Sequence, residues 1–244
     1  MERFLSVFRR GALLAGCLLS MQTDAGVVIG ATRLIFPAEQ REVTVKMNNV
    51  GSHPSLIQSW VDDGRPEVPL EQLRVPFRLA PPLFRLDPGK AQSLRLFHTG
   101  DVMPGDRESL YWLNVLEVPA KGAGNFLQFS LRSRIKLLYR PQGLAGNATD
   151  GHRAVTWRVV RDGPAWAMQA DNSGPFFVNL ARLEITLGEQ VVSLVPTHVP
   201  PFSSVRFALQ ARERPAAIEL RYAVIDDYGA VRDAPAVSVA QWEQ

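Results

Sequence analysis

Hydrophobic and polar residues alternate one by one along most of this chain, in short runs broken by proline, glycine, asparagine and aspartate. Turn signals recurring at intervals of roughly 8 to 12 residues are the pattern of an all-β sandwich. Val43, Val45 and Met47 alternate with polar neighbours before Asn48-Asn49, and Leu56, Gln58 and Trp60 alternate before Asp62-Asp63-Gly64. Leu94 and Leu96 flank Arg95 after the turn Asp87-Pro88-Gly89, and residues 111–118 form a further run closed by Pro119. No stretch with helical periodicity competes with these strands.

Residues 141–151, PQGLAGNATDG, interrupt the pattern with turn formers and read as a connection between two domains. A second β series follows, in which Val155, Trp157 and Val159, then Leu183, Ile185 and Leu187, then Val205, Phe207 and Leu209, then Ile218, Leu220, Tyr222 and Val224 each alternate. The layout predicts an all-β protein of two immunoglobulin-like sandwiches, the larger over residues 26–143 and the smaller over 150–244.

Residues 126–141, FLQFSLRSRIKLLYRP, stand out as a long strand apolar on one side and cationic on the other. Leu127, Phe129, Leu131, Ile135 and Leu137 share one parity, and Gln128, Arg132, Arg134 and Lys136 share the other. Two readings fit the pattern. An ordinary sandwich strand turns its apolar row into the core and its cations to water; a binding strand keeps part of that row open for a strand from another chain.

Composition and charge narrow the function. The 244 residues are 46% hydrophobic and 21% charged, enough to bury a core, and the formal charge of +3 is scattered along strands rather than gathered in blocks, so nothing points to nucleic-acid binding. Arg3, Arg9 and Arg10 precede the apolar run 11–19, and Thr23 and Ala25 lie three and one residues before a cut at Gly26. Residues 1–25 thus read as a secretory signal peptide, and its removal also takes away Cys17, the single cysteine. The exported chain then rests on core burial without a disulfide. Leu14-Ala15-Gly16-Cys17 also resembles a lipobox, which makes lipidation at Cys17 a minor alternative.

The motifs of enzyme chemistry are missing from the sequence: no Gly-x-Ser-x-Gly elbow, no phosphate-binding Walker loop, no His-Glu-x-x-His. The four histidines have no paired spacing, so no metal site and no cofactor is expected, and the chain is not expected to be an enzyme.

Residues 103–119, MPGDRESLYWLNVLEVP, resemble the signature of the periplasmic assembly chaperones of the chaperone-usher pilus pathway: an acidic-basic-Glu-Ser turn leading into an aromatic strand with Asn and closing on Pro. Further blocks agree: Pro81-Pro82-Leu83-Phe84-Arg85-Leu86 before the turn at 87–89, Ile135-Lys136-Leu137-Leu138-Tyr139-Arg140-Pro141, Asn172-Ser173-Gly174-Pro175-Phe176-Phe177-Val178-Asn179, and Ile225-Asp226-Asp227-Tyr228-Gly229-Ala230. The resemblance spans nearly the whole chain after residue 25.

It implies two immunoglobulin-like domains set at an angle with a cleft between them, located in the periplasm. The implied partners are pilus (fimbrial) subunits and an outer-membrane usher, and the implied mechanism is donor-strand complementation: the chaperone lends a strand to the open groove of a subunit until the usher exchanges it into the fibre. Leu127, Phe129, Leu131 and Ile135 match the groove-filling row. Arg33 and Lys136 match two cleft cations that anchor the subunit's C-terminal carboxylate, and Glu108, Arg140 and Asp227 match an ion network between the domains. The short loop 120–125 resembles the short-loop branch of the family. Arg132 and Arg134 depart from the family pattern, and either contact the subunit or solubilise the strand. An open apolar strand also invites self-association of the free chaperone. The competing class is a secreted structural or adhesive β-sandwich subunit.

Overall fold

A strand with apolar residues at every second position has one face to bury, so such strands pair into sheets that stack face to face. The computed structural model of the protein describes residues 26–121, 128–188, 190–209, 218–239 and 242–243. In the first sandwich, β1 (Val27–Ile29), β3 (Glu42–Asn49), β7 (Ala91–His98) and β5 (Phe77–Ala80) form one sheet in the order β1-β3-β7-β5. The facing sheet runs β2-β9-β8-β4-β6, built from β2 (Arg33–Pro37), β9 (Leu131–Arg140), β8 (Ser109–Pro119), β4 (Ser55–Asp62) and β6 (Leu83–Leu86). Between them Phe36, Met47, Ile57, Leu94, Leu113 and Leu137 are fully buried. On β4 the core takes Ile57 and Val61, which leaves Leu56, Gln58 and Trp60 as the outward row.

The second sandwich packs β10 (Val155–Asp162), β11 (Ala165–Asn172), β15 (Ser203–Ala208) and β19 (Trp242–Glu243) against a sheet of β12 (Val178–Leu187), β13 (Gln190–Ser193), β16 (Ile218–Ile225) and β17 (Val231–Asp233). Short β14 (His198–Val199) pairs with β12, and β18 (Val237–Val239) with β16. Its core gathers Trp157, Val159, Leu183, Ile185, Leu220 and Tyr222, drawn from the alternating rows. The segment between the sandwiches ends in a 3-10 helix, Ala148–Ala154, whose first turn is capped by the Asn147 side chain accepting from the Thr149 amide.

Two details of the first sandwich position the site. After β1 pairs with β3 in one sheet, the chain crosses to the other sheet at Gly30, where the amide donates to the Lys46 carbonyl and a Cβ would lie only 3.1 Å from that oxygen. β2 then joins β9 in parallel register, Arg33 opposite Lys136 through Pro37 opposite Arg140. The crossing therefore leaves β2 too short to cover all of β9.

The strand expected over 126–141 is shorter in the structure. β9 begins at Leu131, and Gln128, Phe129 and Ser130 precede it outside any strand, while residues 126–127 lie outside the described residues. The last pair with β8 is Glu117 opposite Leu131, and β8 closes on Pro119, whose ring nitrogen has no hydrogen to donate to a longer ladder. Residues 122–125 of the expected short loop are likewise outside the described residues.

Candidate functional site: an open strand edge ending in two cations

β9 pairs with β8 from Leu131 to Tyr139, but with β2 only from Lys136 onward. Among the described residues nothing pairs with the other edge of residues 131–135, so a row of backbone donors and acceptors there is open to another strand. At this end Phe129 is 74% exposed and Leu131 61% exposed. Both line a depression of about 360 Å³ together with Gly26, Glu117, Pro119 and Gln128. Leu127 lies outside the described residues. Ile135, expected with these residues in the groove-filling row, is half-buried and packs against the first core. The sandwich interior thus begins within β9, between Leu131 and Ile135.

The open edge ends at Arg33 and Lys136, which share one register position on β2 and β9. Each is held by a neutral acceptor of the second sandwich: Arg33 Nη1 donates to the Ile225 carbonyl at 3.2 Å, and Lys136 Nζ donates to Asn179 Oδ1. Among the described residues neither cation has a carboxylate in an ion pair. Burial, and secondly the charge of Arg33, push the Lys136 ammonium down to about 8. Burial and the Lys136 charge push His198, on the far side, down to about 4, so its ring is neutral at pH 7. Among the described residues these two adjacent cations are hydrogen-bonded to neutral groups, with the charges of Asp227 and Asp226 acting on Arg33 from nearby, and the pair makes a site for an anion.

Next to this pair the structure brings Glu108, Arg140 and Asp227 together. Arg140 Nε donates to Glu108 Oε1 at 2.6 Å, and its two terminal nitrogens donate to Asp227 at 2.7 and 2.9 Å. Glu108 is buried, and its Oε2 accepts from the Phe177 amide at 2.8 Å while its own amide donates to the Pro175 carbonyl. Burial raises the Glu108 carboxyl above the usual carboxylate range, a push that Arg140 and the Phe177 amide only partly offset. The two motifs in the second sandwich supply this contact surface. The Asn172 side chain donates through Nδ2 to the carbonyls of Phe176, Val199 and Pro200, which shapes the 173–177 loop that meets Glu108. Asp226 accepts from the amides of Tyr228 and Ala230 and from Arg232, which closes the hairpin bearing Asp227. At its tip Gly229, with φ +87°, lies so near Thr32 of the first sandwich that a Cβ would meet the hydroxyl at 2.4 Å.

Arg132 and Arg134 are engaged rather than loose. Arg134 donates to both oxygens of buried Asp62, at 2.6 and 3.1 Å, and its guanidinium lies 4.3 Å from the Trp112 ring centre. Arg132 donates twice to Asn114 Oδ1 and lies 5.0 Å from the Trp60 ring centre. Between the sandwiches a cleft of about 410 Å³ is lined by Leu110, Trp112 and Arg134 on one side and Phe177, His198 and Pro200 on the other.

Sequence reasoning missed Asn179, His198, Asp62 and Asn114. Asn179 lay inside a quoted family block without a role. Asp62 sat in an Asp-Asp-Gly run that reads as a turn, and only its place at the end of an alternating strand opposite Trp112 marks it as part of a sheet face.

Comparison with known proteins agrees along the chain. The family described as "Pili and flagellar-assembly chaperone, PapD N-terminal domain" matches residues 26–145, and "Pili assembly chaperone PapD, C-terminal domain" matches residues 150–236. The chaperone protein FimB/FhaD of Bordetella pertussis is 40% identical over 238 residues, 94% of this chain and 95% of that protein. Among solved structures, the CupB2 chaperone of Pseudomonas aeruginosa is 35% identical with a TM-score of 0.74, covering 87% of this chain and 100% of the other. The SafB chaperone of Salmonella enterica, solved in complex with the SafA pilin, is 30% identical with a TM-score of 0.70, covering 87% and 95%. With both halves of the chain matched and a relative of this identity spanning nearly its full length, the protein belongs to the PapD-like family of pilus-assembly chaperones.

Proposed function

We propose that the protein is a periplasmic chaperone that binds pilus subunits by donor-strand complementation and hands them to an outer-membrane usher. The observation that carries this is the open edge of residues 131–135 ending at Arg33 and Lys136. A subunit strand whose C-terminal carboxylate sits between the two cations and whose body lies along the edge toward Leu131 runs in the same direction as β9. It takes the place that β2 leaves empty. The open stretch accommodates about 17 Å of extended chain. Backbone pairing along it tolerates many sequences, while Phe129 and Leu131 fill the subunit groove. Burying each of those side chains fully contributes about 1.5 to 3 kcal/mol before the cost of ordering both partners. The carboxylate then fixes where the subunit ends, because charge-assisted hydrogen bonds from two cations favour a free chain end over an internal carbonyl.

In this reading residues 1–25 are removed on export, 26–143 form the domain that lends the strand, and 150–244 form the domain that positions the cleft. Arg140, between Glu108 and Asp227, holds the two domains in register. The SafA–SafB complex supports the choice of partner class. The test is co-expression with a pilus subunit of the same bacterium and recovery of soluble subunit from the periplasm. Arg33→Ala and Lys136→Ala are each expected to lose most of the subunit; recovery equal to the wild type rejects the carboxylate anchor.

A further inference from the structure

The outward row of β9 takes no part in filling a groove, yet it is more heavily tied down than a solvated face requires. Asp62, two strands away on β4, is 1% exposed and accepts four hydrogen bonds: two from Arg134, one from Asn114 Nδ2 at 2.8 Å and one from the Gly64 amide at 2.7 Å. Asn114, on β8 and fully buried, passes the connection on, since its Oδ1 receives both bonds from Arg132. Trp112 and Trp60 then back the two guanidinium planes. Arg132 and Arg134 are the outward residues of the half of β9 that, among the described residues, has a single neighbouring strand.

A strand with one neighbour frays more readily than one with two, and a binding segment that must first become extended loses part of its affinity to that ordering. Side chains that cross to β8 and β4 oppose fraying without occupying the open backbone edge. We propose that Asp62 is a positioning residue for residues 131–135: its buried carboxylate, through hydrogen bonds from Arg134 and through an ion pair at 3.8 Å with Arg132, which Asn114 also holds, keeps the open half of β9 extended before a subunit arrives. The functional consequence rests on the reading of this edge as the subunit-binding edge; the positioning itself does not.

The experiment is hydrogen–deuterium exchange on the free chain, comparing wild type with Asp62→Asn. The protected amides of residues 131–135 are expected to exchange about tenfold faster, with those of residues 137–139 and of the second sandwich unchanged. Arg134→Gln leaves Asp62 its bonds to Asn114 and Gly64, so it keeps the test open if Asp62→Asn does not fold, and it is expected to give the same local pattern. The double variant is expected to be no faster than the worse single one. Unchanged exchange at 131–135, or a uniform rise across the first sandwich, overturns the proposal. A second arm titrates the same chains with a synthetic peptide of alternating leucine and threonine ending in a free carboxylate. Binding weaker by about tenfold in Asp62→Asn is expected. Wild-type peptide binding that survives Leu131→Asp removes this edge from the binding site and leaves the exchange result to decide the positioning alone.

Discussion

The two halves of β9 belong to one continuous strand and end in different circumstances. From residue 136 to 139 the strand has β2 on one side and β8 on the other, and Leu137 and Tyr139 are buried in the first core. From residue 131 to 135 β8 is the one neighbour among the described residues, and Leu131 stays 61% exposed. The difference originates about a hundred residues upstream, at Gly30, where the chain changes sheets and leaves β2 to start no earlier than Arg33. A strand's pattern says which residues share a face; whether that face is covered is decided by a partner elsewhere in the sequence.

Substitutions in the two halves are expected to separate stability from binding. The largest effect is expected from Leu137→Ala in the closed half, a loss of about 2 to 5 kcal/mol of folding stability, read from urea unfolding. Arg140→Ala comes next, at about 3 kcal/mol, because it strands the buried Glu108 carboxylate. Its sign with pH is set by Glu108, whose carboxyl is already raised in the folded state: the folded variant binds a proton more readily than the unfolded chain, so the loss should shrink as pH falls from 7 toward 5. A loss that grows on acidification would contradict this assignment.

A smaller effect concerns the boundary residue, Lys136. With its ammonium lowered to about 8, the free chain's anion site loses one of its two charges as pH rises through that value. Binding of a subunit's chain end is expected to weaken by up to about tenfold per pH unit above 8, and Lys136→Arg, whose guanidinium stays charged, is expected to flatten the profile. Calorimetric titration between pH 7 and 9.5 measures both. The same lowering makes the free chain gain stability between pH 8 and 10.5, where the unfolded lysine holds a proton that the folded one has released. The smallest change belongs to Leu131→Asp in the open half: stability within about 0.5 kcal/mol of the wild type, with subunit recovery lost. Unfolding of this variant would make Leu131 a core residue and erase the contrast.

Much of this was legible in the sequence. The alternating rows of Val155, Trp157 and Val159, or of Leu183 and Ile185, are core rows in the structure because a sandwich buries one face of each strand. The family blocks contain Lys136, Glu108, Arg140 and Asp227, the wider resemblance added Arg33, and the fold places these residues in two adjoining clusters. What a linear pattern does not carry is the end of a ladder. Phe129 alternates as regularly as Leu131, yet Pro119 on the neighbouring strand has no amide hydrogen to extend the pairing to it. Ile135 shares the parity of Leu131, yet depth along the sandwich sends one to the core and the other to the surface. Asp62 is hidden for a related reason: an Asp-Asp-Gly run is a turn by every local rule, and its buried role depends on Arg134, 72 residues away.

The contact of Gly229 with Thr32 has a further consequence. Near Arg33 two small residues face each other across the sandwiches, and all three atoms nearest to a Cβ at position 229 belong to the Thr32 side chain. A methyl group at position 229 would meet the Thr32 hydroxyl, which has to move aside, and would also strain a backbone held at φ +87° in the hairpin that carries Asp227. Glycine is therefore required at position 229 on two counts, its left-handed backbone and its approach to the first sandwich, so a sequence position with no charge and no side chain helps decide how near the Asp227 hairpin can come to Arg140.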